Sequence, residues 1–145
     1  MVKKRLFILA AACICLLLTG CGSDFAERAD DAALRFTEAM LARDDAALEP
    51  LVHPEHKEEV RFDDGFYEVL AELEILPGMK LQGLDAGEKR FTESDDALEG
   101  TVYVCGYVAQ IDQMFYDISL VFLDNDAGFG IVAASAGYCT DPSYY

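Results

Sequence analysis

The chain has 145 residues, the length of one ordinary domain, and its 27 acidic and 11 basic residues give a formal net charge of −16. So acidic a chain has no basic face for phosphate contacts, which argues against nucleic acid as a partner. Intrinsic disorder is also disfavoured, because 52% hydrophobic and 11% aromatic residues suffice to build a core.

The first twenty residues have the composition of a secretory signal peptide. A basic start, Lys3-Lys4-Arg5, precedes an unbroken apolar run of thirteen residues from Leu6 to Leu18. As a helix this run is about 20 Å long, whereas the hydrocarbon core of a bilayer is roughly 30 Å thick. We therefore predict a signal peptide over residues 1–20 and not a membrane span. The rest of the chain then holds 8 basic and 27 acidic residues, a charge of −19.

A cysteine follows this segment directly, in the sequence Leu18-Thr19-Gly20-Cys21. These four residues resemble the lipobox of bacterial lipoproteins, in which small residues precede a cysteine that is lipidated before cleavage. The resemblance implies that Cys21 is the acylated first residue of the mature protein. Its lipid would hold the protein at the extracytoplasmic face of the cell membrane, with residues 21–24 as a tether. Two or more acyl chains give stable attachment, whereas one does not. The alternative is an ordinary secretory signal followed by a chance cysteine.

Two cysteines remain once the signal peptide and the lipidated residue are set aside. Cys105 and Cys139 lie in a domain that we expect to be exported, where thiols normally pair. We therefore predict a disulfide between them. The alternative is two buried thiols. A zinc site is disfavoured, because the two cysteines are far apart in sequence and no histidine or further cysteine clusters near them.

Helical patterns come first in the mature chain. Ser23 or Asp24 can cap a first helix, since the apolar residues that follow recur at helical spacing. A short second helix is capped by Asp45, and a third helix ends at Pro77-Gly78. The apolar positions of the first and third helices are Phe25, Ala29, Ala32, Phe36 and Met40, then Phe66, Leu70 and Leu73.

Strand patterns follow the helices. A weak strand extends from Met79 to Phe91 and contains Gly83 and Gly87, which predict bulges or a bend. Three more strands, joined by tight turns, are predicted at Thr101 to Ile111, Phe115 to Leu123 and Phe129 to Tyr138. Helices followed by an antiparallel meander predict a single α+β domain. We place this domain at residues 25–140, followed by a frayed tail at residues 141–145.

The alternation of side chains assigns faces to two of these strands. In the strand from Phe115 the even-numbered residues are all apolar: Tyr116, Ile118, Leu120 and Phe122. One face of that strand is therefore committed to a core. The strand from Thr101 has apolar residues on both faces, which fits a sheet that is covered on both sides or lines a pocket.

The order of these elements resembles the nuclear transport factor 2-like superfamily. The segments that carry the resemblance are Ala33 to Leu51, ALRFTEAMLARDDAALEPL, and Ile118 to Val132, ISLVFLDNDAGFGIV. The resemblance implies a cone of three N-terminal helices packed on a curved antiparallel sheet of about four strands. Phe129 stands where many members have tryptophan, and Gly130 where many have a basic residue. A cystatin-like arrangement, with one helix against a four-stranded sheet, is the rival fold.

Two short motifs contain residues that can bind metals. His53-Pro54-Glu55-His56, followed by Glu58 and Glu59, is a histidine–acid cluster, but Pro54 disfavours a helix there and no third fixed ligand is evident. The segment Asp124 to Gly128 resembles the opening of a calcium loop, but its twelfth position is Ser135 instead of glutamate. We interpret the first motif as a solvated loop and the second as a hairpin turn, and predict no metal and no cofactor.

Two functions from different classes remain open. The first is a non-catalytic binding or interaction module, anchored at the membrane through Cys21, whose partner is an envelope protein or a small apolar ligand. The alternative is a small pocket enzyme of isomerase or dehydratase type, which would use Asp117 with Tyr103 or Tyr107 on a neighbouring strand. A closed interior filled by phenylalanine favours the binding module, and an open pocket around a buried Asp117 favours the enzyme.

Overall fold

A computed structural model describes residues 24–93 and residues 98–144, with the backbone alone for residues 91–93. The chain divides by its internal contacts into two units, residues 1–31 and residues 32–145. The predicted signal peptide and Cys21 lie outside the described residues. Among those that are described, no helix is both long enough and apolar enough to span a membrane.

Residues 24–42 are helical, as the apolar spacing predicts. In the first unit, Arg28 Nη1 lies 3.8 Å from Asp24 Oδ2, one helical turn earlier. The part of the helix in the second unit, residues 32–42, is called α1. It ends at Arg43, whose φ of 54° is left-handed, and the backbone N–H of Asp44 then donates to the carbonyl of Ala39 at 3.0 Å. Arg43 thus takes the left-handed position that glycine commonly occupies at the end of a helix, and the hydrogen bond caps the helix.

Two further helices follow α1. Helix α2, Asp45–Leu48, is capped by Asp44, whose Oδ1 accepts from the N–H of Ala47 at 3.0 Å, and not by Asp45 as predicted. Helix α3, Asp64–Glu72, is capped by Asp63. Its last residue is Glu72, and Glu74, which has a left-handed φ of 60°, follows two residues later. The predicted end at Pro77-Gly78 is therefore too late. Short 3-10 turns cover Glu49–Leu51 and Pro54–His56.

The second half of the chain is a four-stranded antiparallel sheet in the order β1-β2-β3-β4. Its strands are β1 Leu81–Glu93, β2 Thr101–Ile111, β3 Met114–Asn125 and β4 Gly128–Tyr138. The register of β1 against β2 shifts between Leu81 and Gly83 and between Ala86 and Lys89. These shifts confirm the irregularities predicted at Gly83 and Gly87, and the three helices with this sheet confirm the α+β class.

One face of the sheet, called the inner face, packs into the core. The predicted even-numbered residues of β3 are buried, and the buried residues of β2 alternate with half-exposed ones. Tyr116 donates its hydroxyl to the carbonyl of Leu73 at 3.1 Å, which ties β3 to the end of α3. The largest fully buried side chains are Phe36, Met40, Leu48, Leu70, Ile75, Ile111, Tyr116, Ile118, Leu120, Phe122, Leu123 and Ile131.

The C-terminal residues differ from the predicted frayed tail. Pro142–Tyr144 form a 3-10 turn, and the ring of Tyr144 lies 5.4 Å from that of Phe115 on β3. The N–H of Ser143 donates to Asp141 Oδ1 at 2.9 Å. Hydrogen bonds from Ser143 lower the pKa of the Asp141 carboxyl below its ordinary value. The aromatic contact gives this polar segment an apolar attachment that its composition does not reveal.

Candidate binding surface on the outer sheet face

The face of the sheet opposite the core, called the outer face, contains a groove of about 570 Å³. Small residues make up most of its floor. We call it the outer groove. Its lining includes Gly87, Gly106, Asp117, Ser119, Ser135 and Gly137, together with Glu88 and the apolar residues Val108, Ile118 and Ala136.

The groove exists because small residues stand side by side on neighbouring strands. Gly106 pairs with Ser119, and Ser119 pairs in turn with Ser135. The next row on this face places Asp117 beside Gly137. A Cβ atom at Gly137 would meet nothing within 4 Å, whereas one at Gly87 would lie 3.1 Å from the carbonyl oxygen of Gly106. The groove is therefore open over β4 and tightly closed at the bulge of β1.

Asp117 lines the outer groove and has a hydrogen bond with the buried Cys139. The Asp117 side chain is exposed, and the Cys139 side chain is 4% exposed. Burial raises the pKa of the Cys139 thiol, a backbone hydrogen bond at Asp141 opposes this rise, and the hydrogen bond to the Asp117 carboxylate adds to it. The Cys139 thiol is therefore a polar neighbour of the Asp117 carboxylate.

The structure does not bring together the residues of the predicted enzyme site. Tyr107 is 3% exposed on the inner face, and Tyr103 lies four residues earlier on β2, hence on the same face. Asp117 pairs with Val108 on the outer face. The sheet therefore separates the acid from both tyrosines, and the predicted pairing is wrong.

The predicted disulfide between Cys105 and Cys139 is also wrong, because both residues are buried thiols. Cys105 pairs with Leu120, whereas the N–H of Cys139 donates to the carbonyl of Phe115 at 3.0 Å. Phe115 and Leu120 are about 17 Å apart along β3, and a disulfide needs Cα atoms within roughly 7 Å. The alternative interpretation, two buried thiols, is the one that the structure bears out.

His53 is fully buried, although the sequence predicted a solvated loop around it. Its Nε2 lies 3.1 Å from Asn125 Oδ1 and 3.2 Å from the carbonyl oxygen of Gly128, and its Nδ1 accepts from the N–H of Glu55 at 3.3 Å. Accepting at Nδ1 and donating at Nε2 is the pattern of a neutral imidazole. Both ring nitrogens are occupied, so His53 fastens the segment after α2 to the β3–β4 turn.

Two further residues of the two metal-binding motifs, His56 and Asn125, have local partners. His56 Nδ1 lies 2.6 Å from Glu59 Oε2. The segment from Asp124 is a hairpin turn, as predicted, in which Asn125 Oδ1 accepts from the N–H of Ala127 at 2.9 Å. Among the described residues, no group of three or more histidine, cysteine or acidic side chains could hold a metal ion.

Gly130 carries a constraint that the sequence reasoning missed. The N–H of His53 donates to the carbonyl of Ile131 at 3.0 Å, where Val52 forms a parallel bridge with Ile131. A Cβ atom at Gly130 would lie 2.4 Å from the backbone nitrogen of His53. No side chain fits there, and the signal in the sequence was the glycine itself, at a position where the resembling family has a basic residue.

A polar tie joins α2 to α3 on the other side of the molecule from the sheet's outer face. Tyr67 donates its hydroxyl to the Asp45 carboxylate, and the Arg43 guanidinium lies 4.6 Å from the centre of the Tyr67 ring. Burial, together with the hydrogen bond to Asp45, raises the pKa of Tyr67 above its ordinary value. We interpret this contact as structural, because Tyr67 and Asp45 bond to each other and Arg43 packs on the Tyr67 ring.

Comparison with known proteins found nothing that resembles the whole chain. No protein-family model, no curated protein and no solved structure matches it. The function is therefore argued from the sequence and the geometry of the described residues.

Proposed function

We propose that this protein is an exported lipoprotein, anchored through Cys21 at the extracytoplasmic face of the cell membrane, that acts as a non-catalytic binding module through its outer groove. The proposed fold family is the nuclear transport factor 2-like cone. The observation that carries the proposal is the difference between the two faces of the sheet. The inner face is packed, and the outer face offers the groove.

The packed interior argues against the pocket enzyme. The rings of Phe36 and Phe62 lie 5.6 Å apart, and that of Phe66 lies 5.0 Å from Phe62. Tyr116 and Phe122 fill the space beneath the sheet and are 0% exposed. By the resemblance, an enzyme of the nuclear transport factor 2-like superfamily would hold its acid–base group in that interior, whereas Asp117 is exposed on the opposite face.

The chemistry of the outer groove favours a segment of an envelope protein over a small apolar ligand. Its floor of glycine and serine lets another chain approach closely, and Asp117 and Ser135 supply polar atoms along it. Apolar ligands are usually bound in concave sites with hydrophobic and aromatic linings. The lining of this groove also includes Val108 and Ile118 but is mostly small residues, so an extended segment that carries both polar and small apolar groups suits it better.

Photocrosslinking in intact cells tests this proposal. A photoreactive phenylalanine analogue at Val104, which lies on the outer face two residues from Gly106, should form a discrete adduct with a second protein. The same analogue at Val69, a 49% exposed residue of α3, is the control and should form none.

Two glycine variants make the test specific to the groove. Gly137→Val fills the groove and should reduce the Val104 adduct at least tenfold. Gly83→Val is the matched control, because a Cβ atom at either glycine meets nothing within 4 Å, and it should leave the adduct unchanged. Equal adducts from Val104 and Val69, or equal effects of both valines, would contradict the proposal.

A further inference from the structure

The two edges of the sheet differ in how they are protected against pairing with another strand. Edge strands are normally blunted by charges, prolines or bulges, because their unpaired backbone groups are a template for a further strand. The β1 edge has two register shifts and carries Asp85, Glu88, Lys89 and Arg90. Residues 127–140, which include β4, contain no charged residue and no proline, in a chain that is 26% charged.

Three residues of β4 direct their backbone groups toward the edge of the sheet, away from β3. The hydrogen bond from Cys139 to Phe115 fixes the odd-numbered residues 133–139 as those that bond to β3. The N–H and C=O groups of Ala134, Ala136 and Tyr138 therefore point away from β3. Within the described part of the chain, no hydrogen bond outside the β3–β4 ladder uses these groups. Toward the start of β4, His53 already occupies the edge at Ile131.

We propose that this edge pairs with a second copy of the chain, β4 antiparallel to β4, about a two-fold axis at Ala136. This register opposes Ala136 to Ala136 of the second copy and Ala134 to Tyr138. The backbone groups of Ala134, Ala136 and Tyr138, which point away from β3, then bond to those of Tyr138, Ala136 and Ala134 of the second copy. A shift toward the start of β4 would bring the pairing onto the register shift near Ile131 and onto His53. The result is one continuous sheet of eight strands.

The side chains are self-complementary in this register. Tyr138 is 43% exposed, and its ring stacks on that of Tyr116 at 5.7 Å, which holds it over the inner face. The residue opposite it, Ala134 of the second copy, has the small side chain that a large neighbouring ring needs. On the outer face Ser135 would lie beside Gly137 of the second copy. A large residue therefore lies opposite a small one at both symmetric positions, and this complementarity favours a second copy over an arbitrary peptide.

Charge also selects this edge for self-association. Two copies, each with a formal net charge of −16, or −19 without residues 1–20, repel one another wherever acidic surfaces meet. Pairing over residues 132–140 brings no charged side chain opposite another, so it adds no direct contact between like charges. One consequence rests on the proposed function: Ser135 and Gly137 line the outer groove, so the grooves of the two copies would join across the axis.

Cysteine crosslinking of the full chain in cell membranes tests the pairing and its register. Directly opposed residues of a hydrogen-bonded pair have Cα atoms about 5.5 Å apart, within disulfide range. With copper–phenanthroline as oxidant, Ala136→Cys should convert most of the protein to a disulfide-linked dimer. Ala134→Cys is the matched control, because its two copies would be about 13 Å apart along the strands, and it should resemble the wild type. Absence of a dimer from Ala136→Cys, or equal dimer from both variants, overturns the proposal.

A second variant tests the association without crosslinking. Ala136→Lys places two like charges directly opposite one another at the axis, which disfavours pairing, although it lowers the overall negative charge. Sedimentation of the detergent-solubilised full chain should show twice the monomer mass for the wild type and the monomer mass for Ala136→Lys. A wild type that sediments as a monomer, or only with another protein, overturns self-pairing. Failure of the groove crosslink at Val104 would leave this result unaffected, so the two proposals fail separately.

Discussion

At the scale of single residues, the absence of a side chain at Gly130 allows the segment around His53 to pack against β4. The Gly130 Cα faces the backbone of His53, where a Cβ atom would lie 2.4 Å from nitrogen. That approach allows the His53 N–H to reach Ile131 and the buried imidazole to reach Asn125. Backbone atoms on both sides leave no flexible group that could move aside.

We predict that Gly130→Ala destabilises the protein by about 3 kcal/mol, because overpacking against backbone cannot relax. Gly137→Ala on the same strand is the control. A Cβ atom there meets nothing within 4 Å, and a less flexible unfolded chain should leave stability unchanged or raised by about 0.5 kcal/mol. Urea unfolding followed by circular dichroism measures both. Similar midpoints for the two variants would show that the contact at His53 is not restrictive.

Single residues also mark where sequence reasoning stops. The burial of His53 depends on acceptors 72 and 75 residues away in the chain, and no local pattern reports such partners. The disulfide between Cys105 and Cys139 was predicted because exported thiols normally pair. Whether they can pair depends on the distance between their Cα atoms, which is set by their positions along the strands. Asp117 and the tyrosines were paired because their strands are neighbours, whereas the register decides which face each side chain occupies.

At the scale of elements, the helices are held by side-chain contacts near their ends. Tyr67 on α3 donates to Asp45 at the start of α2. The raised pKa of Tyr67 has a direct consequence for stability. Below pH 10 the hydroxyl is protonated in both the folded and the unfolded chain, and the hydrogen bond contributes fully. Above pH 10 the unfolded chain loses this proton first, so the free energy of unfolding falls as the pH rises.

We therefore expect the stability of the wild type to fall more steeply between pH 9 and pH 11 than that of Tyr67→Phe. The variant lacks the hydroxyl and should be about 1 kcal/mol less stable at pH 7. The other tyrosines titrate in both proteins, so the difference between the two curves isolates Tyr67. Urea midpoints at each pH supply the measurement, and parallel curves would contradict the link between Tyr67 and Asp45.

Elements were predicted best where a pattern is local. The bounds of β2, the alternation in β3 and the irregularities near two glycines of β1 follow from periodicity and turn residues alone. Helix ends were harder to place. The end of α3 was placed too late, because Glu74 takes a left-handed conformation without being glycine and the usual end signal is absent from the sequence. The C-terminal turn depends on a ring contact with β3 that a polar composition hides.

At the scale of the whole molecule, charge and position act together. Removal of residues 1–20 would leave 8 basic and 27 acidic residues, and a body so acidic is repelled by an anionic membrane surface. The first residue described as helical, Asp24, is three residues after Cys21. Three extended residues span at most about 10 Å. Under the proposed anchoring, attachment therefore depends on the lipid and not on attraction of the domain to the membrane.

Fatty-acid labelling tests the proposed anchoring most directly, because export to the membrane surface sets the environment of every other proposal. Cells that express the full chain would be grown with an alkyne-tagged palmitate, and the protein would be separated by detergent-phase partitioning. The wild type should be labelled and enter the detergent phase. Cys139→Ser, the control for loss of a buried thiol, should behave in the same way. Cys21→Ser should lose at least nine-tenths of the label and keep the length of the unprocessed chain. Equal labelling of Cys21→Ser and the wild type would contradict lipid anchoring at this cysteine.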